Sequence, residues 1–173
     1  MKARSNKVLL LTGPGGSGKT TIAELLRDKY GYTLIDGDQL DTEFFPNGGQ
    51  WDSKNASLLS MAHDKILNVA KHEFALNKNI VIDYIIFGKY REFIEKFKNE
   101  FGSNFQVKVL LPEEKENIER DRVRTCWTTG SDHIKLVRKE MTGIRQYIGA
   151  DNFIDTSGQN PEESAKYIVQ NHI

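Results

Sequence analysis

Eight consecutive residues near the start of the chain have the types and spacing of a phosphate-binding loop. The run Gly13-Pro14-Gly15-Gly16-Ser17-Gly18-Lys19-Thr20 matches G-x-x-x-x-G-K-[ST] at every fixed position. Glycines permit backbone conformations closed to other residues, so successive N–H groups can converge on phosphate oxygens. Lys19 would reach the β- and γ-phosphates, and the Thr20 hydroxyl would bind Mg²⁺. We expect this run, with Thr21, to bind a nucleoside triphosphate.

The segments on either side of this loop have the patterns that it needs. Val8–Thr12 is a short apolar run typical of a buried strand, and Thr20–Tyr30 places Ile22, Leu25 and Leu26 on one helix face. The N-terminal end of that helix would add its positive dipole to the phosphate site. Because motif and context are independent, we prefer phosphate binding to an accidental glycine-rich turn.

Carboxylates follow two further predicted strands. Asp36 and Asp38 stand at the end of Thr33–Asp36, and Asp83 follows the apolar run Ile80–Ile82. Parallel sheets bind ligands outside the carboxyl ends of their strands, so one of the first two acids is expected to accept a hydroxyl proton or orient Mg²⁺. A charge that closes a buried strand is costly unless paired, and Mg²⁺ or a hydroxyl would pair with Asp83. The alternatives are capping or turn roles.

A cluster of arginines follows the fourth predicted strand, in Glu119-Arg120-Asp121-Arg122-Val123-Arg124. Arg120 and Arg124 are four residues apart, hence on one face of a predicted helix. Guanidinium groups stabilise the charge that develops during phosphoryl transfer, so we assign both to catalysis and place Arg122 on the solvated face. The alternative is a surface helix in which the arginines pair with Glu116 and Glu119.

The rest of the chain alternates short apolar runs with segments of helical periodicity. The predicted strands are Val8–Thr12, Thr33–Asp36, Ile80–Ile82, Gln106–Leu111 and Asn152–Asp155. The predicted helices are Thr20–Tyr30, one capped by Ser53 and ending near Leu76, Lys89–Phe101, Pro112 to about Arg124, Ile134–Ile148, and one from Pro161 onward. This alternation implies parallel βαβ units. We predict a single α/β domain over residues 1–173, a three-layer α/β/α fold with a five-stranded parallel sheet.

Composition gives no sign of a charged or membrane-bound partner. The 173 residues carry 24 Lys plus Arg and 24 Asp plus Glu, and the single cysteine, Cys126, allows no internal disulfide. No run approaches the roughly 20 apolar residues of a membrane span. We expect a cytoplasmic protein without a membrane partner; its oligomeric state is left open.

These motifs together resemble the P-loop small-molecule and nucleotide kinases. Asp36-Gly37-Asp38 is similar to the motif of adenylylsulfate kinases. Its placement resembles that in chloramphenicol phosphotransferases, where an aspartate here is the base, which favours Asp38. Asp83 resembles the second acidic motif that holds Mg²⁺, and the R-x-x-x-R spacing resembles the lids of adenylate, gluconate and shikimate kinases. The resemblance implies a lid over about residues 120–135 that contains Trp127, and transfer of the γ-phosphoryl group of ATP, with Mg²⁺, to a small hydroxylated acceptor.

Other classes of P-loop protein lack support in the sequence. A GTPase needs Asn-Lys-x-Asp, whereas Asn77-Lys78-Asn79-Ile80 lacks the aspartate. A motor or transporter ATPase needs a glutamate after Asp83, where Tyr84 stands. A preference for ATP over GTP is not indicated.

The acceptor pocket is expected between the second and third strands, at about residues 38–78. No arginine occurs between Arg27 and Arg91, although kinases of nucleoside monophosphates and shikimate clamp an anionic acceptor with arginines there. The region is instead acidic and aromatic, which favours a neutral or cationic acceptor unless Lys54 or Lys65 neutralises an anion. The residues expected to contact the acceptor are Asp36, Asp38, Phe45 and Trp51. The alternative is that Phe44 and Phe45 belong to the core and that the acids are solvated.

Two other functions stay open. Nucleic acid is not the expected partner, but a kinase of nucleic-acid 5′-hydroxyl ends would use Arg120, Arg122, Arg124 and Trp127 as a basic, aromatic surface. A nucleotide-binding regulatory module with little turnover is the other alternative.

Overall fold

Five parallel strands form one sheet in the computed structural model, which describes residues 6–125 and 128–172. The strands are β1 (Val8–Thr12), β2 (Thr33–Asp36), β3 (Ile80–Asp83), β4 (Phe105–Leu110) and β5 (Phe153–Ile154). Their order across the sheet is β2-β3-β1-β4-β5, and every pairing is parallel. The predicted fold class is therefore confirmed.

Eight α-helices in the described residues connect and cover these strands. They are α1 (Lys19–Tyr30), α2 (Gly37–Asp41), α3 (Ala56–Ala75), α4 (Tyr90–Phe101), α5 (Glu114–Arg122), α6 (Ser131–Gly143), α7 (Arg145–Ile148) and α8 (Pro161–His172). No helix among them is long and apolar enough to cross a membrane.

The alternation of side chains along β1 explains the three layers. Val8 and Leu10 point to one face of the sheet and join a core formed with α3, α4 and α6. Leu9 and Leu11 point to the other face and pack with α1 and α8. Because both faces are covered, β1 is apolar along nearly its whole length and lies at the centre of the sheet.

Several predicted boundaries are wrong for local reasons. Ser53 does not cap the long helix, because Asp52 caps a short 3₁₀ turn there by accepting the Lys54 N–H at 3.1 Å, and α3 begins only after it. The predicted helix 134–148 is two helices that break after Gly143. The five-residue helix α2 was not predicted.

Candidate functional site

The carboxyl ends of the three neighbouring strands β2, β3 and β1 bring the predicted acids together. Asp36 and Asp83 are directly paired in register across β2 and β3, and Leu11 of β1 lies on the other side of Asp83. The phosphate loop begins one residue after β1 ends. The site therefore lies at the edge of the sheet where parallel α/β proteins bind their ligands.

Lys19 is a buried ammonium at the start of α1. Its Nζ donates to the Pro14 carbonyl at 3.1 Å, inside the loop itself. Burial lowers the pKa of Lys19, and the carboxylates of Asp83 and Asp38 oppose that shift. In the described part of the chain, the Lys19 ammonium donates a hydrogen bond to a neutral carbonyl and not to a carboxylate, so it is well placed for an anion, which the phosphate-binding prediction requires.

Thr20 and Asp83 form the candidate magnesium site. The Thr20 hydroxyl donates to Asp83 Oδ2 at 2.6 Å. Asp83 Oδ1 is buried, and no hydrogen-bond donor in the described part of the chain reaches it. Burial raises the pKa of Asp83, which the Lys19 ammonium opposes. A hydroxyl beside a carboxylate with a spare oxygen suits Mg²⁺, which takes oxygen ligands, so these residues fit the predicted ion.

The two acids that follow β2 have different surroundings. The Asp36 side chain caps α2 by accepting the Gln39 N–H at 2.9 Å, which is the capping alternative considered for it. Asp38 lies on the first turn of α2 and is exposed. Desolvation by the surrounding protein raises the pKa of Asp38 to about 7, although Lys19 opposes the shift. The contacts thus favour Asp38 over Asp36 as a base.

The acceptor region is less acidic than its composition suggests. Asp41 is buried and accepts hydrogen bonds from Tyr84 Oη at 3.2 Å and Gln50 Nε2 at 3.3 Å, so it holds α2 against the end of β3. Burial raises the pKa of Asp41 to about 6. Glu43 and Asp52 form ion pairs with lysines. Asp38 is exposed and takes part in neither of these ion pairs.

The lysines of this region are also occupied. Each of the four between positions 38 and 78 pairs with a carboxylate. The pairs are Lys54–Asp52, Lys65–Glu43, Lys71–Glu100 and Lys78–Glu73. These contacts therefore give no support to the idea that Lys54 or Lys65 neutralises an anionic acceptor.

The two aromatic residues predicted to contact the acceptor, Phe45 and Trp51, have different surroundings. Phe45 is buried in a small cluster with Leu59 and Ala62, so its ring belongs to the core, which is the alternative considered for it from the sequence. Trp51 is 46% exposed. Its ring lies 5.8 Å from that of Phe87 and 4.3 Å from that of His133 at the start of α6. We retain Trp51, and not Phe45, as a candidate acceptor contact.

The two lid arginines do not share a helix face, because α5 ends at Arg122. Arg124 lies beyond the helix, with Nη1 3.5 Å from Asp121 Oδ1. Arg120 donates to the Thr156 carbonyl at 2.9 Å and pairs with Glu116, so it holds the loop that follows β5. The contacts favour a structural role for Arg120 and leave Arg124 as the catalytic candidate.

The third arginine of the cluster is exposed, as expected. Arg122 pairs with Glu119 at 2.7 Å. With Arg120 also paired, this cluster offers less positive charge to a nucleic acid than its sequence suggests. Trp127, the aromatic member of that alternative surface, and Cys126 lie outside the described residues.

A cavity of about 280 Å³ connects the phosphate loop to the loop after β5. Its lining includes residues 16–22 of the phosphate loop and α1, both candidate lid arginines, and Thr156, Gln159, Pro161 and Ser164. The predicted nucleotide residues Gly16, Ser17, Gly18, Lys19, Thr20 and Thr21 thus border one space.

Sequence reasoning missed two buried polar residues of α5. Asn117 donates to the Gly15 carbonyl and accepts from Arg138 Nη1 at 3.2 Å. Asp121, one turn later, accepts N–H groups of residues 129 and 130. The signal was the composition of α5, whose single apolar residue is Ile118, so a buried face of this helix had to be polar.

Comparisons with known proteins agree with this geometry. The profile of a family described as an AAA domain matches residues 12–136. A comparison with curated protein sequences gave no match. Among solved structures, the chain is similar to the tunicamycin resistance protein of Deinococcus radiodurans, with a TM-score of 0.72 and 16% identity over 97% of this chain and 96% of that one.

Two kinases show the same arrangement. The APS kinase of Mycobacterium tuberculosis in complex with AMPPNP and APS gives a TM-score of 0.64 at 17% identity, over 97% of this chain and 98% of that one. The shikimate kinase of Acinetobacter baumannii in complex with shikimate gives 0.64 at 18% identity, over 96% and 92%. At such identities the likeness shows the fold. The chain belongs to the AAA domain family, and its fold is that of the P-loop kinases.

Proposed function

We propose that this protein is a phosphotransferase that moves the γ-phosphoryl group of ATP to a hydroxyl group of a small neutral or cationic acceptor. The observation that carries the proposal is the position of Asp38, an open carboxylate of raised pKa whose charge acts on the buried ammonium of the phosphate loop. A base beside the expected γ-phosphate is what transfer to an alcohol requires.

The residues would act in the following way. Lys19 and the loop N–H groups hold the phosphates, while Thr20 and Asp83 hold Mg²⁺, which neutralises phosphate charge when bound. Asp38 accepts the hydroxyl proton as the acceptor oxygen bonds to the γ-phosphorus. The bond from that phosphorus to the β–γ bridging oxygen breaks, and ADP leaves. Arg124 stabilises the charge on the transferred group.

The acceptor class follows from the cationic groups of residues 38–78. This region has no arginine, and its four lysines all pair with carboxylates. An anionic acceptor would therefore lack a free cationic partner here, whereas a neutral or cationic one would not need it. An antibiotic, an amino alcohol or a sugar-like compound fits, and the likeness to a tunicamycin resistance protein supports including antibiotics.

A screen for ADP release stimulated by hydroxylated compounds tests this proposal. We expect stimulation by neutral or cationic acceptors and little by carboxylates or phosphates of similar size.

Asp38→Asn should bind ATP normally but lose about 10²–10⁴-fold in transfer, because the base is gone. Lys19→Ala should lose nucleotide binding. Normal transfer by Asp38→Asn, or stimulation only by anionic acceptors, would refute the respective part of the proposal.

A further inference from the structure

Helix α5 and the chain that returns from the lid lie directly against the phosphate loop. A Cβ atom on Gly15 would lie 2.1 Å from Thr129 Oγ1. One on Gly16 would lie 2.5 Å from the Asn117 carbonyl oxygen and 2.8 Å from the Asp121 nitrogen. Both glycines occupy variable positions of the phosphate-loop pattern. Because both positions are glycine, α5 and the returning chain can pack this closely against the phosphate loop.

Asp121 is the residue that joins these two segments. Its side chain is only 2% exposed. The carboxylate accepts the Thr129 N–H at 2.9 and 3.1 Å and the Gly130 N–H at 3.0 Å. Although burial opposes it, hydrogen bonds from these two N–H groups lower the pKa of Asp121. A buried carboxylate with several donors is a fixed negative charge, which suits a group that must hold its neighbours in place.

Arg124 lies beside this carboxylate and lines the same cavity as the phosphate loop. Its guanidinium lines the cavity beside the loop and lies 3.5 Å from Asp121 Oδ1. The positive charge of Arg124 also lowers the pKa of Lys19, while Asp121 raises it, so both charges lie close enough to act on the buried ammonium. Because Arg124 lies beyond the end of α5, helix geometry alone does not fix its direction, and the ion pair with Asp121 is one contact that constrains it.

We propose that Asp121 is a positioning residue for phosphoryl transfer: it aims Arg124 at the γ-phosphate position and anchors the returning lid chain on Gly15 and Gly16. This inference rests on the proposed function. Asp121 itself touches neither substrate nor phosphate. Its effect on the reaction should pass through Arg124, which separates it from a residue that only supports the fold.

The test uses MgADP with and without fluoroaluminate, a mimic of the transferred phosphoryl group, and needs no acceptor. Calorimetry gives the two dissociation constants, and their ratio reports how much the site gains from that group. In Asp121→Asn we expect MgADP affinity within about threefold of wild type, while the ratio falls about tenfold or more, because the arginine is misdirected. Glu119→Gln, which removes an exposed carboxylate paired with Arg122 on the same helix, should leave both constants unchanged.

A double-mutant cycle decides whether the effect passes through Arg124. Arg124→Gln should lower the ratio at least as much as Asp121→Asn, and adding Asp121→Asn to it should change the ratio by less than about twofold. If Asp121→Asn weakens both complexes equally, or keeps its full effect without the arginine, the positioning role is wrong. Should Asp121→Asn not fold, an unchanged ratio in Arg124→Gln would still overturn the inference, because Asp121 is proposed to act through that arginine.

Failure of the proposed function gives a different result. Wild-type protein that binds no magnesium nucleotide would refute the proposed function, and the positioning role with it. Wild-type protein that binds MgADP but gains nothing from fluoroaluminate would overturn the positioning inference alone.

Discussion

At the scale of single residues, the candidate site is a set of charges whose protonation states depend on one another. The Lys19 ammonium lowers the pKa of both Asp38 and Asp83, and burial raises both. Asp38 is exposed, whereas Asp83 is buried against the Thr20 hydroxyl. This difference suits Asp38 for accepting a proton and Asp83 for remaining a fixed ligand.

The raised pKa of Asp38 predicts a pH dependence of transfer. Only the ionised carboxylate can accept the hydroxyl proton, so kcat/KM for the acceptor should fall as pH drops below about 7 and level off above it. Asp38→Asn should lack this limb of the profile. Asp36→Asn, which alters only the neighbouring helix cap, should keep it. A profile in which Asp36→Asn removes the limb and Asp38→Asn keeps it would exchange the two assignments.

Sequence alone could predict the residues whose roles follow from a local pattern, but not those whose roles depend on burial. The phosphate loop is one continuous motif, and its ligand groups follow from it. Asp38 and Asp41 are the same residue type in the same short run, yet Asp38 is exposed and Asp41 is buried against Tyr84. A tertiary contact separates them, and neither spacing nor composition records it. Phe45 was misassigned for the same reason.

At the scale of elements, the phosphate loop and α5 form one packed unit. The loop carbonyl of Gly15 accepts from Asn117, which in turn accepts from Arg138 of α6. These contacts join the loop to both α5 and α6. The end of α5 was misjudged by two residues, because Val123 and Arg124 are both compatible with a helix, whereas the burial of Asp121 under the returning chain favours ending it.

This packing predicts a strong effect of Gly16→Ala. The new Cβ would collide with the backbone of α5, and φ of 73° is strained for alanine. We expect a loss of about 1–3 kcal/mol in the free energy of unfolding, measured in urea, together with weaker MgADP binding. Gly143→Ala is the matched control, because nothing lies within 4 Å of its Cβ position at the end of α6. Equal stability of both variants would show that α5 does not pack closely on the loop.

At the scale of the whole molecule, the order of elements was enough to predict the fold. Alternating apolar and amphipathic segments require a parallel sheet covered on both faces, and Val8–Thr12, apolar but for its last residue, had to be central. The sequence could not predict how the segment between β2 and β3 packs against the rest of the domain. That depends on contacts between distant segments, such as Trp51 with His133 of α6, for which no periodicity exists.

The whole domain should respond to magnesium nucleotide through Asp83, and thermal unfolding measures that response. Ligand at about a hundred times its dissociation constant stabilises the folded state by about 2.7 kcal/mol, or a rise in Tm of about 5–10 °C for a domain of this size. ADP with EDTA should give a smaller rise, because Lys19 and the loop N–H groups act without metal.

In Asp83→Asn we expect the metal-free rise to persist and the additional rise with Mg²⁺ to disappear. The unliganded variant should melt no lower than wild type, since Thr20 can still donate to the amide oxygen and no charge is buried. Asp28→Asn, on the exposed surface of α1, should keep the magnesium increment. A magnesium increment that survives in Asp83→Asn would show that the ion is held by other residues, and the chemistry assigned to the end of β3 would have to move with it.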